Sequence, residues 1–439
     1  MKRILIVGNG AREHVIAETL KRSQQACELF VFATANNPGL RSLAAEVELT
    51  DSLSNFDHLK KFAEKINPHF AIVGPDNPIG DGAADALLEL GIRSVAPLKS
   101  LARLESSKGF TRELVKKYGI PGNPKFKTFT STDGMREWME ELGEYVVKAD
   151  GLMGGKGVQL SGEHLATVED GIAYAGICME LQGQVVIEEK FVGIEFSLMH
   201  FVDGKTVIDM PVVQDHKRAF EGDTGPNTGG MGTYSDFNHS LPFLTKADSN
   251  AAHEISVAVN AALLEETGQA FKGIMYGGFM AVKDGVRLIE YNARFGDPEV
   301  MNVLPILKTD FISLCESLLD QKLDGMDIEF ENKATVVKYL VPEGYPDHPK
   351  KGEKIQVDVE SLPAGVLMYY ASVDQKEDGL TLSSSRALAF VGIGDTLQEA
   401  EALAENAVKS VQGPVYHRKD IGTDALIQQR IDFMEKLRA

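Results

Sequence analysis

Cysteine is almost missing from this chain. Cys27, Cys178 and Cys315 are the only three in 439 residues, and they lie far apart without CxxC spacing. Neither a disulfide framework nor a structural zinc site follows from that pattern, so each thiol reads as a small buried apolar side chain. Long apolar runs are missing too: none approaches the roughly eighteen residues that span a bilayer. The opening "MKRILIVGNG" passes from a short apolar stretch into a glycine turn with no small-residue cleavage site. A cytoplasmic chain with no membrane partner is expected. Positive charge is the scarcer sign, with 45 Lys and Arg against 64 Asp and Glu and a net charge of −19. That excludes a general nucleic-acid surface, because such binding rests on neutralising phosphates with basic side chains. Any anionic ligand must therefore be met locally. A Walker A loop is the last absence. In "VVKADGLMGGKGV", residues 146–158, the glycines Gly151 and Gly155 stand one residue too close, and Gly157 follows Lys156 where a Ser or Thr belongs.

At this length two to four domains are expected, and a hydrophobic content of 43% can furnish their cores. Up to about residue 100, short β-branched runs ("RILIVG", "LFVFAT", "FAIVG", "RSVA") alternate with helical stretches ("AREHVIAETLKRS", "LKKFAEKIN", "GAADALLELG"). This is the rhythm of an open parallel sheet with crossover helices. A helix at "SSKGFTRELVKKYG" stops at Gly119 and Pro121, and a smaller α+β region begins with "KFKTF", "GMREWMEELG" and "YVVKAD". Beyond "QVVIEEKF" longer strands mix with a helix near "ADSNAAHEISVAVNAALLEETG". From about residue 333 the pattern is mostly strand, ending in a helix at "TLQEAEALAENAVKSVQ". The last residues, "ALIQQRIDFMEKLRA", read as an amphipathic helix or a frayed tail.

Several stretches carry chemistry. In "ILIVGNGAREH" a strand runs into Gly8-x-Gly10 and then a helix, whose N-terminus suits an anion. Glu13 occupies the place of the third glycine of a dinucleotide fingerprint, and the second strand ends without a ribose-binding acid, which disfavours a nicotinamide cofactor. A tight turn with no ligand and a site for a small phosphorylated ligand contacted by Arg12 and Glu13 remain open. In "VVIEEKFVGIEFS" the carboxylates Glu188, Glu189 and Glu195 surround a strand end, and carboxylates accept well from ribose hydroxyls. In "VRLIEYNARFGDPEV", Glu290 and Asn292 are two apart on a strand and share a face, a pair of oxygen donors suited to Mg²⁺. Arg294 shares that face if the strand continues. Between these lies "VVQDHKRAFEGDTGPNTGGMGTYS", which reads as a long glycine-rich loop carrying Asp215, His216, Lys217 and Arg218. Loops of that length in compact domains are more often functional than idle. His216 is given no base role.

Taken in order, "GNGAREH", "VGPDNP", "ESSKGFTREL", "VVKADGLMGGKGV", "VVIEEKFVGIEFS", "QDHKRAFEGDTGPNTGGMGTYS" and "IEYNARFGDPEV" resemble the phosphoribosylamine-glycine ligase (glycinamide ribonucleotide synthetase) family of purine biosynthesis, within the ATP-grasp superfamily. The resemblance covers nearly the whole chain. It implies an α/β and α+β multidomain fold: an N-terminal open parallel-sheet domain (1–102), a two-lobed ATP-grasp domain (103–328, with a small mobile lobe at about 122–190), a C-terminal mostly β domain (329–424) and a helical tail (425–439). It also implies ATP-dependent ligation of glycine to 5-phosphoribosylamine through a glycyl phosphate, with Mg²⁺ or Mn²⁺, in a monomer or homodimer. Another ATP-grasp ligase with a different carboxylate or amine is the alternative. A nucleotide-binding module without catalysis would show eroded metal ligands, and Glu290, Asn292 and Arg294 are present.

By that resemblance, Lys108 and Lys148 match nucleotide-binding lysines, and Gly154, Gly155, Lys156 and Gly157 match a glycine-rich loop laid over the phosphates. Glu188, Glu189 and Phe191 lie in the adenine-contacting segment, Glu195 matches the ribose-binding acid, and Glu290 and Asn292 match metal ligands. Arg294, Asp297 and Asp215 are the catalytic candidates: the arginine for the transferring phosphoryl group or the glycine carboxylate, the two aspartates for the glycine ammonium. Gly10, Arg12, Glu13, Pro75, Asp76, Lys217, Arg218 and Arg386 are assigned to substrate. The family usually has "PGNAGT" after the second strand and "SGGR" near the C-terminus. Here "ATANNPGLRS" and "SSSR" stand instead, and two serines next to Arg386 require a different local backbone if left-handed φ values were needed there.

Overall fold

A computed structural model describes residues 1–154 and 157–439. The strands Lys2–Val7, Cys27–Ala33, Glu46–Leu49, Phe70–Val73 and Ser94–Val95 form one parallel sheet. Its spatial order is third, second, first, fourth, fifth. The apolar run Ile4–Val7 is wholly buried, as expected of a central strand covered by helices on both faces. The order reverses between Lys2–Val7 and Phe70–Val73, the place where an open α/β sheet leaves a crevice for a ligand. Here that crevice is filled from within. Glu13, on the helix Ala11–Lys21, is 1% exposed and accepts from the Gly10 N–H at 2.5 Å. It crowds both glycine turns: a Cβ on Gly8, which has φ +128°, would lie 2.7 Å from its carboxyl carbon, and one on Gly74 would lie 1.9 Å from its Oε1.

Next comes a lobe with its own core. The strands Phe126–Phe129, Val185–Glu189, Tyr145–Ala149 and Val158–Leu160 pair antiparallel in that order. The helices Met135–Leu142 and Val168–Gln182 supply Met139, Ala175 and Cys178 to a cluster that also holds Trp138, Val147 and Ile187. A second antiparallel sheet follows, in the order Val207–Asp209, Ile194–Val202, Gly273–Val282, Gly285–Asn292. The long helix Lys246–Thr267, opened by a Thr245/Asp248 capping box, packs on it. Asp209 fastens helix to sheet edge by accepting from Nδ1 of His200 at 2.8 Å and of His253 at 2.7 Å.

The stretch read as a long loop is a set of strands. Gln214–Asp215 pairs with Gly232–Ser235, which in turn pairs with Ala334–Pro342 of the C-terminal sheet, and Arg218–Phe220 forms a hairpin with Thr224–Asn227. Its glycine content serves close approach as much as bending: a Cβ on Gly230, where φ is +109°, would meet Asp215 Oδ1 at 2.6 Å and Pro298 at 2.7 Å. The C-terminal part is mostly β, with the sheet of Ala334–Pro342, Leu388–Gly394 and Val366–Tyr370 backed by the helix Leu397–Ala407. The tail forms the helix Asp424–Arg438, buried at Leu426, Ile427 and Met434 and fixed by Arg438 on both oxygens of Asp248 at 2.7 and 2.9 Å. No described helix is long and apolar enough to cross a membrane.

Candidate functional site

A cleft of ≈ 650 Å³ lies where the parallel-sheet domain, the small lobe, the second sheet and the Arg218–Asn227 hairpin converge. One side of it holds three lysines. Lys108 opens the helix Lys108–Lys117, with Ser107 as N-cap, and its Nζ donates to the Gly151 carbonyl at 3.0 Å. Lys148, on the strand Tyr145–Ala149 and only 4% exposed, is paired with Glu188 and donates to the Ile289 carbonyl at 3.1 Å. Burial draws its ammonium below the ordinary lysine range and Glu188 opposes that pull. Lys217 stands 3.5 Å from Glu195 and 3.8 Å from Glu290, two carboxylates that raise it against burial.

Glu290 and Asn292 leave the same side of the strand Gly285–Asn292 and both line the cleft. Burial would raise Glu290, but Lys217, Lys108, Lys148 and Arg294 outweigh it and hold the carboxyl below the ordinary range. An ionised carboxylate beside an amide oxygen is the hard donor set a small divalent cation takes, so the residues fit such an ion. Asn292 Oδ1 also accepts from Arg294 Nη2 at 3.0 Å. Arg294 lies beyond the strand's end and is oriented instead by Glu105, whose carboxylate stands 3.0 Å from Nη2 and accepts from the Ala293 N–H at 2.8 Å. Among the described residues the buried Arg294 Nε has no partner, leaving one donor for a ligand.

An acidic set closes the far side. Asp215 is pushed well above the ordinary carboxylate range by burial and by Glu299. Glu299, 3% exposed, accepts from Tyr276 Oη at 2.7 Å. Asp297 accepts from Tyr339 Oη at 2.6 Å and lies 3.3 Å from Arg386 Nη2. Arg386 Nη1 is committed to the carbonyls of Gly229, Gly230 and Asp297 at 2.6, 3.1 and 2.9 Å. This guanidinium thus fastens the C-terminal part to the cleft wall. The serines before it have no left-handed φ, so their difference from glycine strains nothing. His216 is fully enclosed and burial pushes its imidazole down to about 4, leaving it neutral.

Most of the residues singled out by sequence converge here, and some do not. Lys108, Lys148, Gly154, Gly157, Phe191, Glu195, Asp215, Glu290, Asn292, Arg294 and Asp297 line the cleft, as do Arg12, Asp76, Lys217, Arg218 and Arg386. Gly155 and Lys156 lie outside the described residues. Gly10, Glu13 and Pro75 do not line it, because Glu13 occupies the first turn itself. Arg12 reaches the cleft while bonded to Glu13 at 2.8 Å. Glu188 is turned inward between Arg112 and Lys148, and Glu189 accepts from the Lys125 N–H at 2.8 Å, so neither carboxylate faces the ligand space. Lys217, assigned to substrate, sits instead between the ribose-acid and metal candidates. Arg218 ties the hairpin to the small lobe through Glu163 at 2.5 Å. Sequence reasoning passed over Glu105, Arg112, Tyr276 and Glu299. Glu105 and Arg112 stand within the quoted "ESSKGFTREL" and Glu299 within "IEYNARFGDPEV", whereas Tyr276 lies outside the quoted motifs.

Three successive segments match the family models described as the N domain (2–105), the ATP-grasp (A) domain (106–300) and the C domain (335–424) of phosphoribosylglycinamide synthetase. Phosphoribosylamine–glycine ligase of Methanocaldococcus jannaschii is 47% identical over 445 residues, covering 99% of this chain and 100% of that one. The Methanosarcina barkeri ligase is 44% identical at the same coverage. The crystal structure of the Thermotoga maritima ligase superimposes with a TM-score of 0.78 at 28% identity, over 95% of this chain and 99% of that chain. A biotin carboxylase–β,γ-ATP complex from Campylobacter jejuni, 14% identical with a TM-score of 0.72 over 99% of this chain and 95% of that one, shares the fold. With its cleft built from all three matched segments and its length covered end to end by such relatives, the chain belongs to the phosphoribosylglycinamide synthetase family.

Proposed function

We propose that this protein joins glycine to 5-phosphoribosylamine at the expense of ATP, releasing glycinamide ribonucleotide, ADP and phosphate. The observation that carries the reading is a single cleft in which Lys108, Lys148, Lys217 and Arg294 surround the oxygens of Glu290 and Asn292, while Asp215 and Asp297 stand on the opposite side. Glycine's carboxylate attacks the γ-phosphate of ATP and ADP leaves, giving an acyl phosphate. The amine of phosphoribosylamine then attacks the acyl carbon, and phosphate and a proton depart as the amide forms. A carboxylate is a poor acyl donor until its oxygen becomes a leaving group, which is what the first step supplies.

Phosphoryl transfer asks chiefly for positioning and charge neutralisation. Lys108 and Lys148 meet the nucleotide phosphates, Glu195 the ribose, and the backbone near Phe191 the adenine edge. Glu290 and Asn292 would hold Mg²⁺ or Mn²⁺, which when bound neutralises phosphate charge. Arg294, which lines the cleft, meets the glycine carboxylate or the transferring group. Asp297 and Asp215 receive the glycine ammonium, a cation that favours the ionised form of Asp215 against the effect of burial. Arg12 and Asp76 face the acceptor. The segment Gly151–Gly154 borders the cleft, and closing it before the acyl phosphate forms would keep water out. The protein acts on these small molecules in the cytoplasm.

Phosphate release from ATP with Mg²⁺ and glycine, with and without freshly generated 5-phosphoribosylamine, tests the reading, with mass spectrometry of the product. Turnover that needs both substrates and yields glycinamide ribonucleotide is expected. ATP binding without stimulation by either would move the search to other amines and carboxylates within the same fold.

A further inference from the structure

Among the buried groups that the chemistry above does not use, Arg112 makes four hydrogen bonds to three residues. It lies on the helix Lys108–Lys117, 2% exposed, one turn past Lys108. Its Nε and Nη2 grip the two oxygens of Glu188 at 2.7 and 3.1 Å, a bidentate fork. Its Nη1 and Nη2 also donate to the carbonyls of Leu288 and Ile289 at 3.2 and 2.5 Å. Glu188 in turn pairs with Lys148, and Lys148 donates to the same Ile289 carbonyl at 3.1 Å. Three segments meet through these contacts: the Lys108 helix, the small-lobe strands that carry Lys148 and Glu188, and the strand that carries Glu290 one residue after Ile289.

We propose that Arg112 is a positioning residue for ATP: it shares Glu188 with Lys148, so that Lys148 keeps a net positive charge toward the nucleotide and stays in register with Glu290. The argument is one of charge balance. Two cations and one carboxylate leave the buried group at +1. Without Arg112, Glu188 has a single cation and cancels it, and the lysine offered to an anionic ligand is neutralised in place. In the intact chain Glu188 is held below its ordinary range, against burial, by Arg112 first and by Lys148. The shared Ile289 carbonyl fixes the geometry, since it accepts from both cations at the residue preceding Glu290. The inference rests on the reading of Lys148 as a nucleotide ligand.

The test is ADP binding by calorimetry in the full chain, with adenosine as the uncharged control. Arg112→Gln is expected to weaken ADP by about tenfold or more while leaving adenosine unchanged, as loss of a charged partner does. Arg112→Gln combined with Glu188→Gln restores a net charge of +1 and should recover ADP affinity relative to the single variant, an outcome a purely structural role would not give. Arg112→Lys keeps the charge but gives up the bidentate fork on Glu188, and should lose less than about tenfold in ADP affinity; it decides the matter if Arg112→Gln does not fold. Unchanged ADP affinity in Arg112→Gln, a double variant weaker than the single, or a tenfold loss in Arg112→Lys would overturn the proposal. A wild-type protein that fails to bind ADP would instead remove the nucleotide reading beneath it.

Discussion

Replacing Glu290 by Gln keeps the side chain's shape and removes one negative charge at the centre of the cleft. The carboxylate is held ionised by four cations, with Lys217 Nζ at 3.8 Å. At an effective dielectric constant near 20 that pair alone is worth about 4 kcal/mol, reduced by solvent because Lys217 is 38% exposed. The variant should nevertheless fold, since Lys217 retains Glu195 at 3.5 Å and stability should change by no more than about 1 kcal/mol. Catalysis is different, because Glu290 supplies the one ionised oxygen of the proposed metal pair. Losing such an electrostatic group costs roughly 2.7–4 kcal/mol of transition-state stabilisation, or about 10²–10³ in kcat. The assay is ATP-, glycine- and phosphoribosylamine-dependent phosphate release across a metal titration, beside a urea unfolding curve. A variant that unfolds like wild type and turns over within about threefold of it would refute the assignment of Glu290 to the metal, and with it the charge argument for the cleft.

Asp215→Asn should stabilise the protein above neutrality while abolishing glycine-dependent turnover. A carboxyl whose folded pKa is raised favours folding only where it is protonated: its contribution is full below the unfolded value of about 3.9 and is lost as pH rises through the folded value. The gain from Asn should therefore be greatest near pH 8 and vanish toward pH 4, as thermal unfolding against pH would show; a gain independent of pH would remove the burial argument. Arg386→Lys gives up three carbonyl contacts and a guanidinium stacked 4.5 Å over Tyr339. A loss of about 1–3 kcal/mol in urea unfolding is expected, and a neutral outcome would mean that the Gly229–Gly230 segment is held by other groups.

The parallel sheet was legible because its information is local: "RILIVG" and "FAIVG" are apolar runs bounded by glycine turns, and helical periodicity lies between them. The mostly β character of the C-terminal part was legible for the same reason. What local pattern could not give was pairing at a distance. "GDTGPNTGGMG" has a loop's composition, yet Gly232–Ser235 pairs with Ala334–Pro342, about a hundred residues on, and its glycines are needed where Asp215 and Pro298 approach. Glu13 is an instructive miss. Its spacing of three residues from Gly10 is that of an acid reaching back to a helix start, so the sequence held a signal for a carboxylate that closes the turn, beside the one for a carboxylate that meets a ligand. Arg112 and Glu105 stood within the quoted motif "ESSKGFTREL", but local pattern assigned neither of them a role. Their meaning depends on Glu188 and Arg294, 76 and 189 residues away.

The scarcity of positive charge and the concentration of cations in one cleft are two sides of the same constraint. A buried cation without a partner is costly, and most of those here are met by a carboxylate: Lys148 by Glu188, Arg294 by Glu105, Arg12 by Glu13, Arg218 by Glu163 and Lys217 by Glu195 and Glu290, while Lys108 donates to the Gly151 carbonyl. Pairing keeps the cleft stable, but it also means that an anionic ligand must compete with carboxylates already in place. The competition is unequal. Glu188 is 3% exposed on its side chain, so freeing Lys148 from it would leave a charge stranded in the interior, and Arg112 is what keeps that carboxylate satisfied. Glu195 is 48% exposed and can return to water when its lysine turns away. Lys217 is therefore the cation that can exchange a carboxylate for a phosphate at little cost, whereas Lys148 acts from a fixed position, and the two differ because of where their partners are buried rather than because of their own side chains.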